Sequence, residues 1–371
     1  MSSEATGGSP GREHFRALTG IRGIAAWMVV LYHIRFSLDA LVPAGMIAAL
    51  GKGYLAVDLF FILSGFVLWY NYADRLRGGG LGDVVQFMWR RVARIWPLHL
   101  FILATFVVFA LLLLLTGRST ADYPFGELPL HVFLIQNWGF TGELAWNHPA
   151  WSISTELAAY LLFPLIVCAA RWERLGVPVL VCAAVALLAA IHLVFASSGS
   201  GNLGHDIPRL GLWRCLAEFA LGNIACMLWR VWRAWRYGAA IAAMVCAVSL
   251  AAGLAFSLPE TLFVPTVFFA GILALALDRG VVARLLGTRS IHYLGEISYS
   301  TYLVHYLLFI VFKLLFLDAS LQLGWAGLAG FLLLALAASV LLYHGVEKPA
   351  QGWMNRHRPN GPLAPKPVPA E

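Results

Sequence analysis

The chain has 371 residues, of which 60% are hydrophobic and only 12% are charged, and its mean hydropathy is +0.76. Soluble domains carry about 25% charged residues, so this chain lacks the polar surface that a soluble protein of its length requires. The net charge of +7 is spread between long apolar stretches, which fits the loops of an integral membrane protein better than a nucleic-acid-binding patch.

Ten apolar stretches are long enough to cross a bilayer, which takes about 20 residues of helix. They lie at 18–38, 54–71, 97–116, 150–170, 177–196, 210–229, 238–257, 260–277, 294–317 and 323–343. The pattern predicts an all-α, polytopic transmembrane bundle of about ten spans. The stretch 130–140 is too short to span and is predicted to be re-entrant or interfacial. Residues 1–16 are predicted to be a polar cytoplasmic N-terminus, 17–349 the membrane domain, and 350–371 a disordered, Pro-rich cytoplasmic tail.

The distribution of Lys and Arg predicts the orientation of these spans. With the N-terminus inside, the segments on the opposite side of the membrane hold only Lys52, Arg118 and Arg209, and the great majority of the other basic residues fall on the N-terminal side. Cytoplasmic loops carry an excess of Lys and Arg. Both termini are therefore predicted to be cytoplasmic.

Ionisable residues inside spans are costly and usually face a cavity or a partner, and the first span holds Arg22 and His33. Eleven helical steps place these side chains about 16 Å apart and within about 20° of one face. This spacing indicates a functional stripe, with His33 handling a proton near the outer end. The alternatives are that Arg22 snorkels to the inner headgroups and that His33 is a hydrogen-bonded core residue.

Two carboxylates enter the membrane from the same outer side as His33. Asp58 begins the second span and Glu156 lies near the start of the fourth, so all three residues are expected at a similar depth. A histidine beside a carboxylate is the arrangement that a general base needs. Either acid could be the partner, and Asp58 could instead be a helix N-terminal acid that meets the helix dipole.

Polar residues also mark the inner side and the ninth span. Arg91 and Arg94 are neighbours on one helix face and suit a phosphorylated ligand, although basic residues there also serve topology alone. Ser298, Tyr302 and His305 share one face of the ninth span and predict a water-filled cavity or hydrogen bonds between helices.

In series, the motifs of this chain resemble those of the type 3 acyltransferase family of integral membrane O-acyltransferases. They are R-x10-H from Arg22 to His33, VDLFFILSGF at 57–66, RRVAR at 90–94, WSISTE at 151–156, LGEISYSTYLVH at 294–305 and EKP at 347–349. The resemblance implies that 17–349 is a membrane acyltransferase domain of a bacterial inner membrane.

The same resemblance implies the reaction and the roles of the residues. The donor would be a cytoplasmic acyl-coenzyme A, with acetyl-coenzyme A favoured, and the acceptor a hydroxyl of a glycan, a lipid-linked sugar or a glycosylated metabolite. His33 would be the catalytic histidine, Glu156 would assist near the acceptor, Arg22 would support the tunnel, and Arg91 and Arg94 would meet the coenzyme A phosphates. From the residues themselves, Asp58 is added to the catalytic group for its depth, and His305, Tyr302 and Ser298 are assigned to the donor site for their shared face. No metal, tightly bound cofactor or nucleic acid is expected.

From the residues alone, a transporter or flippase for a lipid-linked sugar or small metabolite is the alternative function. Spans with intramembrane Arg, Asp and Glu suit a transporter equally well. No inverted repeat is visible in the sequence, which argues modestly against it.

Overall fold

The computed structural model describes residues 15–169 and 171–359, and within these ranges the regular structure is helical, without strands. The fifteen helices are α1 Arg16–Ile34, α2 Ala44–Leu50, α3 Ala56–Gly78, α4 Leu81–Leu115, α5 Leu128–Val132, α6 Trp151–Ala169, α7 Val177–Ser197, α8 Ile207–Trp232, α9 Gly238–Ala255, α10 Glu260–Leu277, α11 Val281–Leu286, α12 Arg289–Glu296, α13 Ser298–Phe316, α14 Trp325–Leu342 and α15 Lys348–Arg356. Short 3₁₀ turns, and a π turn at Tyr343–Glu347, connect several of them.

Ten of the segments in the described ranges are long and apolar enough to cross a membrane. The predicted all-α bundle of about ten spans is therefore confirmed. Because ten is an even number, the two ends of the described chain lie on the same side of the bundle. We call this side the terminal face and the opposite side, which carries the long connection between α4 and α6, the loop face.

Small residues allow α3 and α8 to pack with their backbones in contact. A Cβ on Gly65 would lie 2.0 Å from the carbonyl oxygen of Phe219, and one on Gly222 would lie 1.9 Å from that of Ile62. Helices in membranes associate through such close approaches, since lipid gives no hydrophobic driving force between them. This contact brings Asp58 of α3 next to Arg214 of α8.

A second close approach joins α1 to the segment before α13. A Cβ on Gly23 would lie 2.6 Å from the backbone nitrogen of Gly295, and one on Gly295 would lie 1.8 Å from the carbonyl oxygen of Thr19. No residue larger than glycine fits at either position without a backbone shift. The contact aligns α1 with α13 and so brings together the polar residues of the first and ninth spans.

Several predicted boundaries differ from the structure, and the largest difference at the start of a span is in α4, which begins at Leu81 and not at 97. The ninth stretch is interrupted at Ile297, which separates α12 from α13. Residues 350–356, predicted as part of a disordered tail, continue α15, because the Trp89 indole N–H donates to the carbonyl oxygen of Met354 at 2.8 Å and holds this helix against α4. Residues 1–14 and 360–371, and the predictions made for them, lie outside the described residues.

Candidate active site

A cavity of about 370 Å³ opens between the spans on the loop face. We call it the histidine cavity, and its wall includes His33, Arg35, His148, Trp151, Arg214 and Tyr306. Its volume falls within the range of about 300–1,000 Å³ that small-molecule sites occupy.

Two histidines from different spans meet beside this cavity: His33 lines it, and His305, predicted to bind the donor, is buried behind His33 and lines neither cavity. The Nδ1 of His33 lies 2.9 Å from the carbonyl oxygen of Val29, and the Nδ1 of His305 lies 3.2 Å from that of Thr301. A carbonyl oxygen can only accept, so we infer that each Nδ1 carries the proton of a neutral ring. The Nε2 of His305, 3.2 Å from the Nδ1 of His33, then accepts from the same N–H. His33 is left with a lone pair on Nε2, which is what a general base requires.

The aromatic ring of Tyr306 packs beside this pair. Its hydroxyl lies 3.0 Å from the Nδ1 of His148, and the two rings stack with their centroids 4.9 Å apart. The Tyr306 ring also contacts that of His33 edge-on, at 5.4 Å between centroids. Sequence reasoning did not assign a role to Tyr306 or His148. For Tyr306 a signal was available, since it lies one turn after Tyr302 on the same face of α13, whereas His148 precedes its span.

A second cavity, of about 150 Å³, lies further towards the terminal face. We call it the arginine cavity, and its wall includes Arg22, Arg91, Arg94, Glu156, Tyr160 and Ser298. Five of the sequence motifs are thus brought to one space by α1, α3, α4, α6 and α13.

The arginines of this cavity have different partners. Arg94 forms an ion pair and a hydrogen bond with the buried Glu347 of the π turn, and Glu347 also accepts from the Ser300 hydroxyl at 2.6 Å. Arg91 donates to the Tyr72 hydroxyl at 3.3 Å and makes no ion pair among the described residues. Arg22 donates to the Ser298 hydroxyl at 3.4 Å. Arg94 is therefore neutralised locally, whereas Arg91 and Arg22 keep their charge available to a ligand.

Tyr302 and Val57 belong to the walls of both cavities. The buried hydroxyl of Tyr302 lies 2.9 Å from the Ser152 hydroxyl and 3.0 Å from the carbonyl oxygen of Pro149. These contacts fix the Tyr302 ring between the two spaces. We call Tyr302 and Val57 the shared wall.

The structure does not bring the two predicted carboxylates to His33. Asp58 is buried in a two-pronged ion pair with Arg214, at 2.7 and 2.5 Å, and Glu156 lines the arginine cavity. Asp58 is near the loop face, as expected from its sequence position, but it faces α8. Glu156 lies deeper, because α6 continues inward from the histidine cavity for one and a half turns before reaching it.

Two further buried charged residues, Arg214 and Glu218, belong to the predicted sixth span and were not assigned a role from the sequence. Arg214 also donates to the carbonyl oxygen of Leu203 at 2.9 Å and lies over the Trp151 ring. Charged residues inside an apolar stretch were the available signal. Among the described residues, no group of three or more His, Cys, Asp or Glu side chains is placed to hold a metal ion.

These features define a class: a polytopic membrane protein whose bundle encloses a histidine with an unbonded Nε2 near one face and an arginine-lined cavity towards the other. A family model described as an acyltransferase domain matches residues 15–344. The chain belongs to this acyltransferase family.

Individual relatives agree with this assignment. The chain is 32% identical over 379 residues to acyltransferase MdmB of Streptomyces mycarofaciens, covering 92% of this chain and 93% of that protein. It is 28% identical to BcsY of Komagataeibacter xylinus, over 92% of this chain and 84% of that one. It is 25% identical to the O-acetyltransferase OatA of Staphylococcus aureus, over 40% of this chain and 24% of OatA. No solved structure matches.

Proposed function

We propose that the protein transfers an acyl group, acetyl in the first instance, from acyl-coenzyme A to a sugar hydroxyl. The acceptor would be a glycan, a lipid-linked sugar or a glycosylated metabolite. The observation that carries this proposal is the pair of cavities that meet at the shared wall, one lined by arginines and one by a histidine whose Nε2 has no partner among the described residues. The name of the relative OatA, an O-acetyltransferase, supports acetyl as the group and oxygen as the acceptor atom.

The donor is assigned to the arginine cavity. At about 150 Å³ this space is too small for a whole coenzyme A, so it would hold the pantetheine arm and the phosphates next to it, while the adenosine end stays towards the terminal face. Arg91 and Arg22 suit the phosphates because charge-assisted hydrogen bonds to arginine are strong and directional. Arg94, held by Glu347, and Ser298 would shape the passage for the arm.

The acceptor is assigned to the histidine cavity. Trp151 and Tyr306 supply flat aromatic surfaces for the apolar face of a sugar ring, and the histidines supply polar contacts. Arg214, fixed by Asp58, would form a rigid part of this wall. Asp58 then acts by positioning Arg214.

The transfer moves one proton from the acceptor hydroxyl to the leaving thiolate, by way of His33. The Nε2 of His33 takes the proton of the acceptor hydroxyl as its oxygen attacks the thioester carbonyl carbon. The new C–O bond forms, the C–S bond breaks, and the imidazolium returns the proton to the leaving thiolate. His305, which accepts from the Nδ1 of His33, holds the tautomer that this step needs. Glu156, in the donor cavity, would balance the arginine charges as the donor enters and leaves.

Direct transfer requires the acyl end of the donor to pass the shared wall, so Tyr302 must move during the cycle. The other route is a covalent acyl-histidine formed in a first half-reaction. We propose direct transfer. Acyl mass on His33, seen when donor is supplied without acceptor, would contradict it.

The proposed orientation places the terminal face in the cytoplasm and the protein in the inner membrane of a bacterium. The excess of Lys and Arg in the segments of that face supports this orientation. A donor present in the cytoplasm would then meet the arginine cavity, and an acceptor outside the cytoplasm would meet the histidine cavity.

The test uses the full chain in lipid nanodiscs with acetyl-coenzyme A labelled in the acetyl group and a mixture of glycan acceptors from bacterial envelopes. Release of free coenzyme A together with labelled, acetylated glycan is the expected result. Labelled donor that stays intact under all acceptors would overturn the proposal. Movement of an unmodified sugar across the membrane, without loss of the thioester, would indicate the transporter, which membership of the acyltransferase family does not favour.

A further inference from the structure

Arg35 lies in the wall of the histidine cavity and is held rigidly there. Its guanidinium carbon lies 4.0 Å from the centre of the Tyr32 ring and 4.0 Å from the centre of the Phe36 ring. It also donates to the carbonyl oxygen of Tyr32 at 2.5 Å. A guanidinium that is already ordered by two rings loses little conformational freedom when a ligand binds.

The charge of Arg35 is not neutralised by the described part of the protein. It forms no ion pair with a described carboxylate, and Asp39, four residues further on, is exposed and does not contact it. Arg214 in the same wall differs, since Asp58 occupies it with both oxygens. None of the described residues that line the histidine cavity is Asp or Glu. The cavity therefore has an excess positive charge that comes from Arg35.

An unpaired arginine at the edge of a membrane cavity is costly unless something binds it. Arginine presents five N–H donors in a fixed plane and matches the oxygens of a carboxylate or a phosphate. We propose that Arg35 binds an oxyanion group of the acceptor, so that the enzyme acts on acidic sugars. This inference rests on the proposed function, because it names the class of acceptor that the histidine cavity takes.

The position of Arg35 fits this assignment. It follows His33 by two residues, and both side chains line the same cavity. An acceptor anchored by its anionic group at Arg35 would present a hydroxyl of the same sugar unit, or of its neighbour, to the base. Anchoring of this kind converts an encounter into a positioned reaction.

The experiment measures binding of two probes to the purified full chain in phosphatidylcholine nanodiscs. Methyl β-glucuronide and methyl β-glucoside have the same ring and differ by a carboxylate in place of a hydroxymethyl group. We expect the glucuronide to bind at least about tenfold more tightly, as one charge-assisted hydrogen bond allows. Arg35→Gln should abolish the difference, and Arg35→Lys should keep part of it.

Arg209→Gln is the matched control. Arg209 lies on the same face with its side chain 85% exposed, pairs with Asp206 and does not line the cavity. This variant removes the same charge and should keep the preference for glucuronide. A thermal unfolding scan of each variant establishes that it is folded, and Arg35→Lys remains informative if Arg35→Gln is not.

Several outcomes would overturn the inference. The wild type could show no preference for the glucuronide, which includes binding neither probe. The preference could survive in Arg35→Gln, or Arg209→Gln could lose it to the same extent as Arg35→Gln. Nanodiscs with phosphatidylglycerol test the other source of an oxyanion. If phosphatidylglycerol changes the binding of the probes to the wild type, and Arg35→Gln removes only that change, Arg35 binds lipid headgroups and the inference is wrong.

Release of coenzyme A separates this inference from the proposed function. An Arg35-dependent preference without any release would leave the anion site standing and remove the acyl transfer. Equal acetylation of neutral and acidic sugars would leave the acyl transfer standing and remove the anion site.

Discussion

The two cavities of this protein are built in opposite ways from the same bundle. In the histidine cavity, rings and backbone carbonyls surround the polar groups, and His33 keeps an unbonded Nε2 among the described residues. In the arginine cavity, fixed charges dominate, and one of them is tied into an ion pair with a residue of the C-terminal segment. The contrast separates chemistry, which needs a group that can gain and lose a proton, from binding, which needs charges that stay constant.

The largest effect is expected at the base. His33→Ala should lower the rate of acyl transfer about 10²- to 10⁴-fold at saturating donor, since a general base contributes that much. Donor binding should stay unchanged because His33 does not line the arginine cavity. His192→Ala is the control: this histidine also lies in a span but contacts Thr261 at 2.9 Å, outside both cavities. Near wild-type turnover of His33→Ala would mean that His33 is structural.

The ion pair of the arginine cavity is expected to matter for stability. Arg94→Ala leaves Glu347 buried without its partner, which costs about 3–5 kcal/mol of unfolding free energy. Adding Glu347→Gln should recover part of the loss. The exposed pair Arg230–Asp74 offers a comparison, since Arg230→Ala should cost at most about 1 kcal/mol. Denaturant titration in detergent measures all of these, and equal losses at the two pairs would contradict the expectation.

A smaller effect is expected when the arginine cavity loses Arg91, which makes no ion pair among the described residues. Arg91→Gln should weaken donor binding about 10- to 100-fold, equivalent to 1.5–3 kcal/mol for hydrogen bonds to charged groups, and leave kcat at saturation unchanged. The loss should vanish with acetyl-pantetheine, which has no phosphates. Arg90→Gln controls for topology, because Arg90 is adjacent but does not line the cavity. Equal losses for both donors would show that Arg91 does not contact phosphate.

The smallest effect concerns the boundary between the cavities. Tyr302→Phe removes a hydroxyl that bonds to Ser152 and Pro149, at a cost of about 1 kcal/mol. It should also raise hydrolysis of the donor without acceptor, because the ring that separates the cavities is held less firmly. Tyr299 lies on the same helix as Tyr302 and lines the arginine cavity only, and Tyr299→Phe loses a hydrogen bond to the carbonyl oxygen of Ile95 of α4. Its hydrolysis rate should remain that of the wild type, and a rise equal to that of Tyr302→Phe would make the wall assignment wrong.

The sequence predicted the spans well because composition and length determine them. It also identified the charged residues that line the arginine cavity, since each one is an exception in or beside an apolar stretch, but in the histidine cavity it assigned only His33 and Tyr302. Their partners could not be predicted. His33 meets His305 and Arg94 meets Glu347 across more than 250 residues of chain, and the rotation of each helix about its axis decides such contacts.

Asp58 illustrates the same limit. Its depth follows from its place near the start of α3, but whether it faces α1 or α8 depends on where glycines allow backbones to approach. Gly65 and Gly222 settle this in favour of α8. A single sequence shows those glycines without showing which of them are in contact.

The shared wall has a consequence for the cell's ion gradients. A bundle with one open passage from face to face would conduct protons and small ions and would dissipate the membrane potential. Here the passage is divided at Tyr302 and Val57, so two water-accessible vestibules can exist on opposite sides without forming a pore. An acyl chain that displaces Tyr302 would itself plug the opening it makes. Under the proposed function, a chemical group would thus be handed over across an energised membrane while the electrical barrier stays intact.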